Sequence, residues 1–133
     1  MKRETEKEDS VFQIQFYEAI LKRKSDFIQV LIALGDLYTR EGFYQKGLDI
    51  DKRLARLRPY NAVVLYNLAC SYSLVGDTPN AFKSIQKAIE CGYDDLAHLE
   101  QDADLDNLRK DLDFQQYFSE IKHKSLLEKK DGQ

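Results

Sequence analysis

The chain repeats itself at a spacing of 34 residues. Leu31, Leu34, Gly35, Tyr38 and Gly42 are each followed, 34 positions on, by Leu65, Leu68, Ala69, Tyr72 and Gly76. A period of this size marks a stack of similar supersecondary units, each of which buries its apolar face on its neighbours. That excludes most compact single-layer designs and predicts a surface built from equivalent positions of successive units.

Within each unit the periodicity is helical. Phe27, Val30, Leu31, Leu34 and Tyr38 fall at i, i+3, i+4, i+7 and i+11, which is one face of a helix. Ser25 or Asp26 is expected to cap its start and Gly42 to end it. A second helix is expected over 44–57, stopped by Pro59. The third repeats the first through Leu65, Leu68, Ala69 and Tyr72 and closes at Gly76. The fourth begins near Thr78, with Pro79 suited to its first turn, and turns Ala81, Ile85, Ala88 and Ile89 inward. Upstream, Phe16, Tyr17, Ile20 and Leu21 make another amphipathic helix. A shift of 34 sets Phe16 on Ile50 and Ile20 on Leu54, so residues 10–24 read as the second helix of a unit whose first helix is missing. No Asn-Gly or Asp-Gly hairpin lies between alternating apolar runs. The chain reads as all-α.

These residues resemble the tetratricopeptide repeat, whose pattern is W-x-x-L-G-x-x-Y followed by small, aromatic and Pro positions. Leu31 and Leu65 stand at the large first position, Gly35 and Ala69 at the small one, Tyr38 and Tyr72 at the tyrosine. Gly47 and Ala81 are the small residues of the second helices. Pro59 ends the first repeat and Tyr93 stands in its place in the second. The downstream aromatic is replaced by Asp51 and Ile85. A carboxylate near a packed surface needs partners, so Asp51 is expected to meet a Tyr, an Arg or water. The resemblance implies an antiparallel helix-pair solenoid, a right-handed superhelix of about six or seven helices. Its divisions are a half repeat at 10–24, repeats at 26–59 and 60–93, and a cap at 94–124. Flexible ends are expected at 1–9 and 125–133. The cap follows a break in register: Leu99 still matches Leu65, but Asp102 and Asp106 fall where Leu68 and Tyr72 predict apolar residues.

The resemblance also implies a concave groove lined by the first helix of each pair. The positions carried over are Gln29, Ile32, Asp36, Thr39 and Arg40 from one helix, and Val63, Tyr66, Asn67, Cys70 and Ser73 from the other. Such a groove suits a peptide or protein segment, so the expected function is an interaction scaffold or adaptor. Self-association through the last helix (Phe114, Phe118, Ile121) and client binding of a chaperone kind are the alternatives. A carboxylate clamp of the Lys, Asn and Arg type is disfavoured. Asn67 matches one of its asparagines, but Ile32 and Asp36 stand where a lysine and another asparagine belong.

Charge and composition narrow the rest. Net charge is −3, which argues against general nucleic-acid binding. From Glu90 to Asp113 there are nine acidic and two basic residues; from Arg40 to Arg58 there are six basic and three acidic. The stripe Lys52, Arg53, Arg56 and Arg58 reads as a solvated convex face. Asp102, Asp104, Asp106, Asn107 and Asp113 loosely resemble a calcium loop, but its glycine and bidentate glutamate are absent and Arg109 and Lys110 intrude. They are expected to cap short helices instead. Cys70 and Cys91 form no C-x-x-C pair, and His98 and His123 have no metal-ligand spacing. No catalytic residue, cofactor or metal is expected. The charged N-terminus lacks an apolar signal core, no stretch is long enough to span a bilayer, and a cytoplasmic setting is expected.

Overall fold

The computed structural model describes residues 4–131. Among them there is no strand; α1 (Glu4–Arg23), α2 (Ile28–Arg40), α3 (Tyr44–Leu57), α4 (Ala62–Leu74) and α5 (Thr78–Glu90) follow one another. Then come α6 (Leu96–Gln101), a 3-10 turn (Ala103–Leu105), α7 (Asp106–Arg109) and α8 (Leu112–Asp131). The cap breaks into short pieces, which brings the described helices to eight against the six or seven expected.

Three turns close in the same way. The N–H groups of Gly42 and Phe43 donate to the carbonyls of Thr39 and Tyr38, at 3.1 and 2.8 Å. Gly76 and Asp77 repeat the arrangement on Ser73 and Tyr72, and Gly92 and Tyr93 on Ile89 and Ala88. Each glycine has a φ between +85° and +108°, a left-handed geometry that a side chain would strain. The start of α2 differs from expectation. Neither Ser25 nor Asp26 caps it; Phe27 holds the N-cap position without a side-chain hydrogen bond. The turn is instead tied to α3, where Arg53 donates to the Ser25 carbonyl at 2.6 Å. Lys52 sits 5.7 Å from the Tyr72 ring centroid. Half of the expected convex basic stripe is thus engaged in packing.

Small residues set how closely the pairs approach. A Cβ on Gly35 would lie 3.2 Å from both Asp51 Oδ1 and Ile50 Cγ2, and one on Gly47 would lie 2.8 Å from Thr39 Oγ1. Ala69 and Ala81 are fully buried at the corresponding positions of α4 and α5. Apolar residues collect in two clusters. One joins α1, α2 and α3 through Leu21, Leu31, Leu34, Tyr38, Ile50 and Leu54, with Val64 of α4. The other joins α4 and α5 to the cap and α8 through Leu65, Ala69, Ile85, Leu99, Leu105, Leu108, Phe114 and Phe118.

Both ends correct the sequence reading. α1 is already helical at Glu4, ahead of the expected start near residue 10, and α8 is still helical at Asp131, past 124, while residues 1–3 and 132–133 of the expected flexible ends lie outside the described residues. Phe16 does not occupy the place of Ile50. Ile50 is buried against Gly35, whereas Phe16 is 55 % exposed, because no described helix precedes α1 to cover it. Phe114 and Phe118 are not an exposed pairing surface: they are buried and stacked on each other at 5.6 Å within the second cluster. None of the described helices is long and apolar enough to cross a membrane.

Ile85 is wholly buried in that cluster. Ile85→Ala is expected to lower the unfolding free energy by about 2–5 kcal/mol, read from denaturant unfolding followed by circular dichroism.

Candidate functional site

The first helices of the two pairs, α2 and α4, lie side by side and form a cleft that the cap closes at one end. Its volume is about 400 Å³, and Gly35, Asp36, Thr39, Arg40, Asp51, Tyr66, Asn67, Cys70, Ser71, His98, Asp102 and Asp104 line it. A smaller niche of about 200 Å³ adjoins it, lined by Ile32, Leu54, Val63 and Val64 and sharing Asp36, Asp51 and Asn67. Of the ten positions carried over from the repeat pattern, eight line one or the other of these spaces. Gln29 is exposed a turn beyond them. Ser73 is the correction: it is fully buried under the cap. Its hydroxyl accepts from the Leu108 N–H at 3.3 Å and its carbonyl from Asn107 Nδ2 at 2.9 Å. It fastens the cap and faces no open groove.

Tyr66 and Cys70 belong to the wall rather than to the open surface. Tyr66 is buried, stacks on Tyr93 with centroids 4.3 Å apart, and donates its hydroxyl to Asp102 at 2.7 Å. The Cys70 thiol points to the same carboxylate at 3.7 Å, and His98 Nε2 lies 3.3 Å from it. Asp102 Oδ1 also accepts from the Asp104 N–H at 3.0 Å, which caps the 3-10 turn. The aspartates of the cap therefore hold the chain to itself. Asp95 and Asp111 cap α6 and α8, and Asp106 pairs with Arg109. Among the described residues no three His, Cys, Asp or Glu side chains are grouped to hold a metal ion. Burial, followed by the Asp102 and Asp104 charges, pushes the Cys70 thiol up, away from the reactive thiolate.

Asp51 meets neither Tyr nor Arg. It is 8 % exposed and accepts a hydrogen bond from the Ser71 hydroxyl. Burial raises its pKa to about 6 and the nearby Asp36 adds to the rise, while the Ser71 hydroxyl opposes it. Burial also raises Asp36, with Arg40 acting against it. Asp104 is raised by burial and by the Asp102 and Asp106 charges. The cleft is thus crowded with negative charge that no buried cation among the described residues neutralises. Ser71, His98, Asp102 and Asp104 escaped the sequence reading as groove residues. Ser71 had a signal: it stands 34 residues after Leu37, where the first unit has an apolar side chain, and Asp51 demanded a polar neighbour.

No protein-family model matches the chain. A chloroplastic protein of Arabidopsis thaliana is 29% identical over 80 residues, covering 58% of this chain and 24% of that protein. The chain spans about a quarter of the length of that curated relative. Among solved structures, MamA 41-end from Desulfovibrio magneticus RS-1 superposes with a TM-score of 0.65 at 14% identity, over 90% of this chain and 70% of that one. The fold is that of a helical-repeat protein. At such low identity the likeness is one of architecture alone.

A carboxyl whose folded pKa lies above its unfolded value binds its proton more readily when folded, so the stability it supports falls as pH rises between the two values. For Asp51 that window runs from 3.8 to about 6. Asp51→Asn is expected to gain stability relative to the native chain across this window, by up to about 2–3 kcal/mol. Urea unfolding of both proteins below and above the window checks it. Asp102→Ala is expected to cost about 1–3 kcal/mol, by leaving Tyr66 without an acceptor, and to speed hydrogen exchange selectively in 96–109.

Proposed function

We propose that the chain is a protein–protein interaction scaffold that holds an extended, positively charged segment of a partner along the face of α2 and α4. The observation that carries this reading is the composition of the cleft. Asp36, Asp51, Asp102 and Asp104 line it against Arg40 and His98. Such a field attracts lysine and arginine side chains and repels acidic segments and free peptide carboxylates. Asn67 is exposed on the rim, and its amide can donate to and accept from a peptide backbone at once. Beside it, Ile32 and Val63 are 44 % and 62 % exposed, an apolar niche for one aliphatic side chain next to the basic one.

In this reading 26–59 and 60–93 are two full repeats, α1 is a half repeat and the remainder is a cap. Scaffolding suits the helical-repeat architecture, which presents equivalent side chains on one side of a stack. A catalytic reading has little to stand on, since the thiol in the wall is held protonated and the tyrosine beside it is committed to Asp102.

Tyr66→Ala is a poor probe because it removes a structural ring. Asp36→Lys and Asn67→Ala alter exposed side chains and should leave the fold intact. Selection from a displayed peptide library is expected to enrich basic segments on the native chain. Asp36→Lys is expected to abolish that preference and Asn67→Ala to weaken binding by about tenfold. Identical enrichment on all three proteins, or enrichment of acidic peptides, would sink the proposal.

A further inference from the structure

α1 is apolar on two opposite faces. Ile14, Tyr17, Ile20 and Leu21 pack on the first cluster. The other face exposes Val11 at 53 %, Phe12 at 69 % and Phe16 at 55 %, and a shallow depression lies beside Val11 and Phe12. A single exposed apolar residue is ordinary, but three large ones within two turns make a contiguous patch that marks a contact surface. The helix is otherwise well anchored. Tyr38 donates to Glu18 and Ser10 to Glu41, both at 2.8 Å, so the patch is presented on a fixed element.

We infer that this outer face of α1 pairs antiparallel with α1 of a second copy, making the chain a two-fold dimer. The charge layout along the helix selects that occupant. Glu6, Glu8 and Asp9 lie before the patch and outnumber the one basic residue there, Lys7, whereas Lys22, Arg23 and Lys24 lie after it; all seven are exposed. Two copies in parallel would set like charges side by side. An antiparallel pair sets each acidic end on the partner's basic end, twice, as an isologous contact requires. A two-fold axis between Gln15 and Phe16 places Phe12 over the small Ala19, and sets Asp9 on the same flank of the seam as the partner's Arg23 and Glu8 on the same flank as the partner's Lys22. These positions follow one exposed stripe of the helix, at i+3 and i+4 steps. A helix of 20 residues offers a seam about 30 Å long.

The surface lies at the opposite end of the stack from the cap and shares no residue with the cleft between α2 and α4, so the dimer and the scaffold reading stand or fall separately.

Sedimentation equilibrium of the whole chain over a range of micromolar concentrations tests it. The native chain is expected to show a monomer–dimer equilibrium. The double variant Phe12→Ser, Phe16→Ser is expected to weaken it by more than about tenfold with unchanged helicity, since both rings are exposed. Lys22→Glu with Arg23→Glu is expected to weaken it too, and adding Glu8→Lys and Asp9→Lys to that pair is expected to restore it. A native chain that stays monomeric, a double phenylalanine variant that dimerises as well as the native chain, or a folded charge-swapped variant that does not recover overturns the inference.

Discussion

The close crossing of α2 on α3 is the constraint on which the rest of the molecule depends. A methyl group on Gly35 would crowd Ile50 and Asp51, and one on Gly47 would force Thr39 to move. With the helix axes drawn together there, Ile50 reaches the first apolar cluster and the Asp51 carboxylate is carried to the boundary with α4. The groove wall therefore inherits a buried acid from the packing of the helix pair. A wider crossing would admit water beside Asp51 and would also shift Asp36 and Arg40, which ride on the same helix.

A buried carboxylate with one hydroxyl partner is an uncomfortable group in a low-dielectric site. The chain accommodates it by placing Ser71 opposite and by leaving the cleft open to solvent on one side. The neighbouring aspartates of the cap are treated differently. Asp102 is surrounded by Tyr66, Cys70, His98 and a backbone N–H, and it joins the cap to the groove wall. Acidic residues of similar sequence appearance thus divide into one that lies under the cleft and others that organise the chain around it.

The helix pairs were legible because the sequence repeats. Leu31 and Leu65, Gly35 and Ala69, Tyr38 and Tyr72 report the same packing problem twice, and the three turn glycines report the same chain reversal. Eight of the ten expected groove positions also line the cleft or its niche, since a helix that packs by one face must turn the opposite one outward. Ser73 was misjudged because its covering comes from Asn107 and Leu108, in the stretch where the period fails and no internal comparison guides the eye. Phe16 was misjudged for the converse reason. Its counterpart Ile50 is buried by a neighbouring helix, and the 34-residue match transfers the residue type without transferring the neighbour. The start of α2 departs from expectation because it carries no side-chain cap, and the turn before it is held from outside by Arg53, 28 residues away, which donates to the Ser25 carbonyl.

Adjacent residues on α4 serve different clusters. Val64 belongs to the one built on α1, α2 and α3, while Leu65 and Tyr66 belong to the one that includes α5, the cap and α8. Stacked repeats usually depend on nearest-neighbour contacts and can melt piece by piece from an end. Here the handover from one cluster to the next takes place within a single turn of one helix. The two halves are therefore coupled through one turn of α4, and a loss of packing on either side of that turn is felt by the backbone that supports the other.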